Sequence, residues 1–361
     1  MVRTRHASVA AALAMLVGSL AVGCSGAIAP TGAPAPTATS APTGTPSPTG
    51  TPVRGGPATP SAGCGSTSVR ASTTHESMTV AGLDREWYLH VPAAHDGQAP
   101  LPLVVQLHGY GNDVTDMALT GLDGLGDQEG FVVATPVGRD AKPRWLFELD
   151  SPAIDVTQAN PDVAFIGALI DRLGADLCLD TSRVYVTGLS NGAWLTSALP
   201  CALGDRIAAI APVAGVMDFG ADCRPPRPVP TIVFHGSADV ILPMSGGFAP
   251  EVLAELKADT GGSFGDNPIW DVPVRERVSG LAVRDGCERE PVTDRVSGDA
   301  ERLTWSCPGE MDVQLVVVDG GGHDWPRSGP GPADAPGASP RKVDASRLIW
   351  DFFMEHPLPT K

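Results

Sequence analysis

Arg183-Val184-Tyr185-Val186-Thr187-Gly188-Leu189-Ser190-Asn191-Gly192-Ala193-Trp194 is the stretch whose reading decides the fold. Val184 to Thr187 is a run of β-branched and aromatic residues, the composition of a strand. Gly188 to Gly192 then sets a serine between two glycines, and Ala193, Trp194, Leu195, Thr196, Ser197, Ala198 and Leu199 continue as a helix. The stretch therefore reads as strand, sharp turn and helix, with Ser190 at the apex. So tight a turn needs glycine or another small residue on either side of the serine. The competing reading is a small-residue turn with an incidental serine, and the rest of the chain has to separate the two.

The chain has 361 residues and a formal net charge of -16. Nothing in it supplies the basic stripe that neutralises phosphates, so a nucleic-acid partner is not expected. Arg3, Arg5 and His6 precede an apolar run from Ala7 to Val22, the n- and h-regions of a secretory signal. Gly18 and Ser19 interrupt that run, and it is short of the ~20 residues of a membrane span. Leu20-Ala21-Val22-Gly23-Cys24 is similar to a bacterial lipobox, with Ala21 where leucine is usual, so residues 1–23 are expected to be a signal peptide and Cys24 a lipidated residue, with ordinary secretion or a retained anchor as the alternatives. Thr4 separates the two arginines, which argues against a twin-arginine signal.

Residues 24–63 are almost entirely Pro, Thr, Ala, Gly and Ser, with Arg54 the only charge, and cannot bury a core. They are expected to form a disordered linker, kept partly extended by proline at up to ~3.1 Å per residue. Residues 64–361, about 300, suit one large domain. Of the seven cysteines, removing Cys24 leaves six: Cys64, Cys178, Cys201, Cys223, Cys287 and Cys307. An even number in an exported chain argues for disulfides. Nearness in sequence favours Cys201 with Cys223 and Cys287 with Cys307, leaving Cys64 for Cys178. Without a Cys-x-x-Cys or a paired-histidine spacing, a metal site is the weaker reading.

Along the domain, Ser77–Val80 and Trp87–Val91 read as a hairpin about Gly82. Pro102–Leu107 reads as a strand buried on both faces, and Phe131–Thr135 as the next. Asp162 is expected to cap a helix in which Val163, Ile166, Leu169, Ile170 and Leu173 share one face. Further strands are expected at Ile207–Ile210, Thr231–Phe234 and Val313–Val318, and a last helix from Val343 to Met354. Strands alternating with helices predict an α/β fold with a mainly parallel central sheet flanked by helices, and ligands then gather at the carboxyl ends of the strands.

Two more strand ends carry chemistry. His235-Gly236-Ser237-Ala238-Asp239 follows one predicted strand and Gly320-Gly321-Gly322-His323-Asp324-Trp325-Pro326 another. The order Ser190, Asp239, His323 is that of the α/β-hydrolase triad. Serine hydroxyl is a poor nucleophile at neutral pH, so it needs a histidine to take its proton and an acid to orient that histidine. Asp218 and Asp324 compete as the acid, but one lacks a strand end and the other adjoins the base. In this frame the loop His108-Gly109-Tyr110-Gly111 and the residue after Ser190 would supply the Tyr110 and Asn191 backbone N–H groups to an oxyanion. His108, Trp145 and Trp325 are candidates for the substrate cleft, with Trp270 behind them. Each has an ordinary packing role as its alternative, and His235 can equally serve a backbone group. Residues 245–284 are expected to be a cap or a mobile loop.

The segments His108–Gly111, Gly188–Gly192, Ala211-Pro212-Val213-Ala214-Gly215, His235–Asp239, Arg284-Asp285-Gly286-Cys287 and Gly320–Pro326 together resemble the polyhydroxybutyrate depolymerase and feruloyl esterase family of α/β-hydrolases. The resemblance implies secreted hydrolases of polyesters or of acyl groups on polysaccharides, using neither metal nor cofactor, with Ser190, Asp239 and His323 as the triad. The expected partner is a small or polymer-linked ester, and contact with the membrane is through the lipid anchor only. Asp324 where the family often has threonine, and Leu281-Ala282 where it often has Trp-Ala, are departures expected near the cleft. An acyltransferase using the same triad and a non-catalytic envelope-binding lipoprotein are the alternatives.

Overall fold

The computed structural model describes residues 57–66, 72–112, 114–145, 155–260, 268–309, 311–327 and 342–359. The signal, Cys24 and the linker up to residue 56 lie outside the described residues. Strands β1 (Ser72–Val80) and β2 (Leu83–Val91) form an antiparallel hairpin. Its two turn residues, Ala81 and Gly82, both have positive φ (50° and 80°), the backbone that matches strand twist in a two-residue turn.

Next come β3 (Leu101–Leu107), helices α1 (Val114–Met117) and α2 (Leu122–Glu129), and β4 (Val132–Pro136). Helix α3 (Pro161–Asp176) leads to β5 (Leu179–Leu189), α4 (Asn191–Leu203), β6 (Ala209–Val213) and β7 (Thr231–Gly236). Helices α5 (Pro250–Thr260) and α6 (Val274–Arg284) precede the antiparallel strands β8 (Val292–Ser297), β9 (Ala300–Cys307) and β10 (Met311–Val318), and α7 (Ala345–Glu355) closes the domain.

Among the described residues ten strands join one sheet in the order β1-β2-β4-β3-β5-β6-β7-β10-β9-β8. From β4 to β10 every neighbouring pair is parallel, and both edges are antiparallel. Inner strands alternate their side chains between two apolar layers. Leu103, Val105, Val184 and Val186 face the core of α3 and α4, while Val104, Tyr185, Ile232, Phe234 and Val316 face that of α7. This is why these strands read as continuous apolar runs. The sheet is that of an α/β-hydrolase.

Some boundaries differ from expectation. Asn160, not Asp162, caps α3, accepting the Asp162 N–H at 2.9 Å and the Val163 N–H at 3.4 Å, with Pro161 filling the first helical position. Asp162 is instead buried and paired at 2.8 Å with Arg85, whose guanidinium lies 4.1 Å over the Phe165 ring. β6 begins later than expected and runs through Pro212, which sits opposite Gly188 of β5. The end of the expected linker is also part of the domain. Thr59 donates to Asp180 Oδ1 at 2.9 Å, Ser61 to the Leu179 carbonyl at 2.8 Å and Gly63 to that of Gly174 at 2.9 Å, so backbone pairing holds these residues despite their composition.

The disulfides are Cys64–Cys178, Cys201–Cys223 and Cys287–Cys307, the pairing expected, and three of them fit an exported protein. Cys64–Cys178 spans 114 residues and lies at the start of β5, the end of that strand away from Ser190. Replacing both by serine should lower stability to urea by about 2–5 kcal/mol. The folded fraction should keep its turnover of a short ester, measured with active-site titration.

Candidate active site

Between β3 and β5 the chain order reverses, β4 lying on one side of β3 and β5 on the other, and such a switch point opens a crevice at the carboxyl ends of the strands. Leu107 is in register with Gly188, so the loop after β3 meets the turn after β5 there. Ser190 forms that turn with φ 55° and ψ -117°, a strained backbone for a residue with a side chain. Its N–H is held by the Val213 carbonyl at 2.9 Å, and its own carbonyl accepts from Ala193 N–H at 2.9 Å as α4 begins. A Cβ on Gly188 would lie 2.6 Å from the Gly192 carbonyl oxygen, and one on Gly192 would run into the carbonyls of Leu107 and His108. Both glycines flanking the serine are therefore steric requirements.

On the other side of the crevice β7 and β10 run in register to Gly236 and Val318. Beyond them the loops stay joined: Ser237 N–H donates to Val318 O at 2.9 Å and Ala238 N–H to Gly321 O at 2.8 Å. These bonds bring Asp239 to His323. Asp239 Oδ1 accepts the N–H groups of Ile241 and Leu242, both at 2.8 Å, and Oδ2 accepts His323 Nδ1–H at 2.8 Å. A carboxylate only accepts, so the imidazole proton sits on Nδ1. His323 Nε2 is left with a lone pair, which receives the Ser190 hydroxyl at 2.8 Å. Burial works against a charge on Asp239, but the His323 bond and charge, with the Leu242 amide, outweigh it and hold the carboxyl below the usual aspartate range. Ser190 and His323 are only half-buried, so a substrate can reach them. Asp218 is elsewhere, 3.4 Å from the Arg284 guanidinium.

The structure puts His108 and Trp145 beneath the site instead of in its wall. His108 is fully buried. Its Nε2 accepts the Gly138 N–H at 2.8 Å and its Nδ1–H donates to Gly109 O at 2.7 Å, which spends both ring nitrogens on backbone. Trp145, also fully buried, donates its indole N–H to His108 O and its backbone N–H to Asn191 Oδ1, each at 2.8 Å. The two rings brace the loop after β3 against the start of α4, with centroids 4.9 Å apart. Trp325 is likewise in the core, donating to Ser346 Oγ at 2.9 Å, which in turn bonds the Thr120 carbonyl.

The brace sets Gly109 against the serine: a Cβ there would be 3.4 Å from Ser190 Cβ. Tyr110 follows it on the loop and Asn191 follows the serine, and among the described residues neither backbone N–H has a protein acceptor. The Tyr110 hydroxyl donates to Asp259 of α5 at 2.8 Å, and Lys142 joins the same carboxylate at 2.7 Å and Glu255 at 2.9 Å. Nothing in the sequence signalled this contact, because α5 lay in a segment read as cap or loop. Where described, that segment is built mainly from α5 and α6, joined to the domain by irregular turns. α6 packs Leu281 and Ala282 into the core with β9 and β10, so this departure from the family pattern is not at the cleft. Trp270 is buried against Trp194 of α4, with centroids 4.8 Å apart. Among the described residues no group of three or more His, Cys, Asp or Glu side chains could hold a metal ion.

Residues 85–225 match the family model described as esterase PHB depolymerase. The chain is 30% identical over 302 residues to NocK of Nocardia uniformis subsp. tsuyamanensis, named for a proposed esterase activity, with 79% of this chain and 83% of that one aligned. The chain belongs to the esterase PHB depolymerase family. As a member of that family it is a carboxylic ester hydrolase. Feruloyl esterase C of Emericella nidulans is 25% identical, covering 81% of this chain and 91% of its own. Poly(3-hydroxyalkanoate) depolymerase C of Paucimonas lemoignei is 27% identical over 72% of this chain but only 63% of its own.

Tyr110→Phe keeps the backbone N–H of this esterase but removes the tie to α5. One neutral-to-charged hydrogen bond at a partly exposed site should be felt as a fall in kcat/KM of about three- to tenfold, with the unfolding midpoint little changed. Steady-state kinetics on a short p-nitrophenyl ester and a urea titration measure both.

Proposed function

We propose that the protein is a serine esterase that works through an acyl-enzyme. The observation that carries this reading is the unbroken line of hydrogen bonds from Ser190 Oγ to His323 and from His323 to Asp239, each 2.8 Å. Ser190 Oγ attacks the ester carbonyl as His323 Nε2 takes its proton. The carbonyl oxygen becomes an oxyanion, met by the N–H groups of Tyr110 and Asn191. Collapse of that intermediate breaks the bond to the alcohol, which leaves with the proton from His323. Water then attacks the acyl-enzyme by the same base, releasing the acid and restoring Ser190. Asp239 keeps the imidazole in the Nδ1–H tautomer throughout and balances its transient positive charge.

The ester we propose is a polyhydroxyalkanoate or a feruloyl ester, the classes that stand in the names of two of these relatives, or an acetyl group on a polysaccharide. Residues 1–23 would direct export and Cys24 would carry the lipid, with the linker bearing the esterase domain outward; the three disulfides support the oxidising compartment. A Cys24→Ala protein should lose incorporation of labelled palmitate and move to the soluble fraction. Equal labelling of both forms would refute the anchor.

Ser190→Ala should lower kcat by about 10⁴- to 10⁶-fold and Asp239→Asn by about 10⁴-fold, with little change in KM. A fluorophosphonate should label the wild-type protein and not Ser190→Ala. Hydrolysis of a short p-nitrophenyl ester by Ser190→Ala at the wild-type rate would remove the mechanism. A panel of acetyl, butyryl, feruloyl and polyhydroxyalkanoate esters, with alcohol acceptors added, assigns the acyl group and separates hydrolysis from acyl transfer.

A further inference from the structure

Behind the acid loop lie two buried polar side chains that the reaction scheme does not use. His235, the residue before the last of β7, is 2% exposed, and Arg277 on α6 is 6% exposed. Arg277 spends its terminal nitrogens on backbone and sulfur. Nη1 donates to Val216 O at 3.0 Å and to Met217 Sδ at 3.2 Å, and Nη2 to Trp270 O at 2.6 Å and Ile269 O at 3.2 Å. Its remaining donor, Nε–H, is buried and has no partner among the described residues. His235 donates Nε2–H to the Leu242 carbonyl at 2.8 Å, and its Nδ1 is also buried without a partner. Both residues line one small cavity of about 10 Å³, together with Gly215, Val216 and Leu242. That is about the room needed for the centre of one water molecule, which also requires two to four polar partners to be held.

We propose that this cavity binds a single structural water that joins Arg277 Nε to His235 Nδ1, making both residues positioning residues for Asp239. The polarity permits one arrangement. Leu242 O can only accept, so the His235 proton sits on Nε2 and Nδ1 is an acceptor. Arg277 Nε–H can only donate. The water therefore accepts from Arg277 and donates to His235, and each otherwise orphaned group is satisfied. Burial first of all, and the nearby Arg277 charge, disfavour a proton on His235 Nδ1, which would face the water with a second donor.

The consequence falls on the acid. Leu242 is gripped at both ends, its N–H by Asp239 Oδ1 and its carbonyl by His235, and His235 Nε2 itself lies 3.5 Å from Asp239 Oδ2. The Leu242 carbonyl selects the tautomer that makes this grip possible, and the water supplies the donor that His235 Nδ1 then needs. Together they fix which way the Asp239 carboxylate faces His323, an outer layer of orientation of the kind that good catalytic geometry depends on. The inference rests on reading Asp239 as the acid of the triad, but the water and the tautomer are measurable on the resting protein.

A crystal structure of the wild-type protein at better than ~1.5 Å should place a water within ~2.7–3.2 Å of both Arg277 Nε and His235 Nδ1. ¹⁵N NMR at neutral pH should show His235 neutral with its proton on Nε2. His235→Gln can retain a donor to Leu242 O while losing the Nδ1 acceptor, so it should lower kcat about tenfold on a short ester with KM held within about twofold. A dry cavity, or a proton on Nδ1, overturns the proposal without any variant having to fold. A His235→Gln protein with wild-type kcat overturns the positioning role. Full activity of Ser190→Ala would instead remove the triad reading while leaving the water in place, so the two failures are distinguishable.

Discussion

The contact of Gly192 with the Leu107 and His108 carbonyls is the constraint on which the rest of the site depends. It lets the first turn of α4 lie directly against the end of β3. That closeness puts the strained Ser190 backbone beside Gly109, and so brings the Tyr110 and Asn191 amides to one place. A side chain of any size at residue 192 would separate the two loops, and the serine would then be a surface hydroxyl without donors around it. His108 and Trp145 act on the same contact from below, since the indole of Trp145 holds the His108 carbonyl and its backbone N–H holds the Asn191 side chain.

The second half of the site is arranged by register in a similar way. β7 and β10 are parallel partners up to Gly236 and Val318, and the loops continue the pairing through Ala238 and Gly321. Two residues far apart in sequence thus meet through backbone hydrogen bonds, not through the attraction of their charges. The attraction is then free to act on chemistry: Asp239 has its charge supported by two amides and a histidine, in surroundings that would otherwise protonate it.

The meeting of Ser190, Asp239 and His323 is legible in the sequence because each stands in a glycine-rich loop after an apolar strand, and such strands are unmistakable where both faces are buried. The disulfide pairing was legible for a simpler reason, that two pairs are close in sequence. The edge strand β8 and its neighbour β9 were not legible. Val292–Ser297 is largely exposed and carries Asp294 and Arg295, which are paired with Arg302 and Asp319, so its apolar pattern is absent. This is how an edge avoids pairing with a second chain. In the sequence His108, Trp145 and Trp325 point to a cleft because polar-tipped rings beside the loops of Ser190 and His323 resemble ligand contacts. Their ring nitrogens are satisfied by backbone and hydroxyl groups that only the fold brings near.

The same strand that carries the serine also receives the beginning of the domain. β5 has 11 residues, so its two ends are separated by roughly 35 Å at ~3.3 Å per residue. Thr59 to Gly63 pair with the amino end of β5 and with α3, and Cys64–Cys178 locks that attachment covalently. A pull on the chain at residue 57 is therefore taken up by the disulfide and these backbone bonds, at the opposite end of the strand from Ser190. The Ser190 turn and the loops that carry Asp239 and His323 lie beyond the load. A domain fastened at that end can be held by its amino-terminal side at a distance from the hydrogen-bonded line of Ser190, His323 and Asp239.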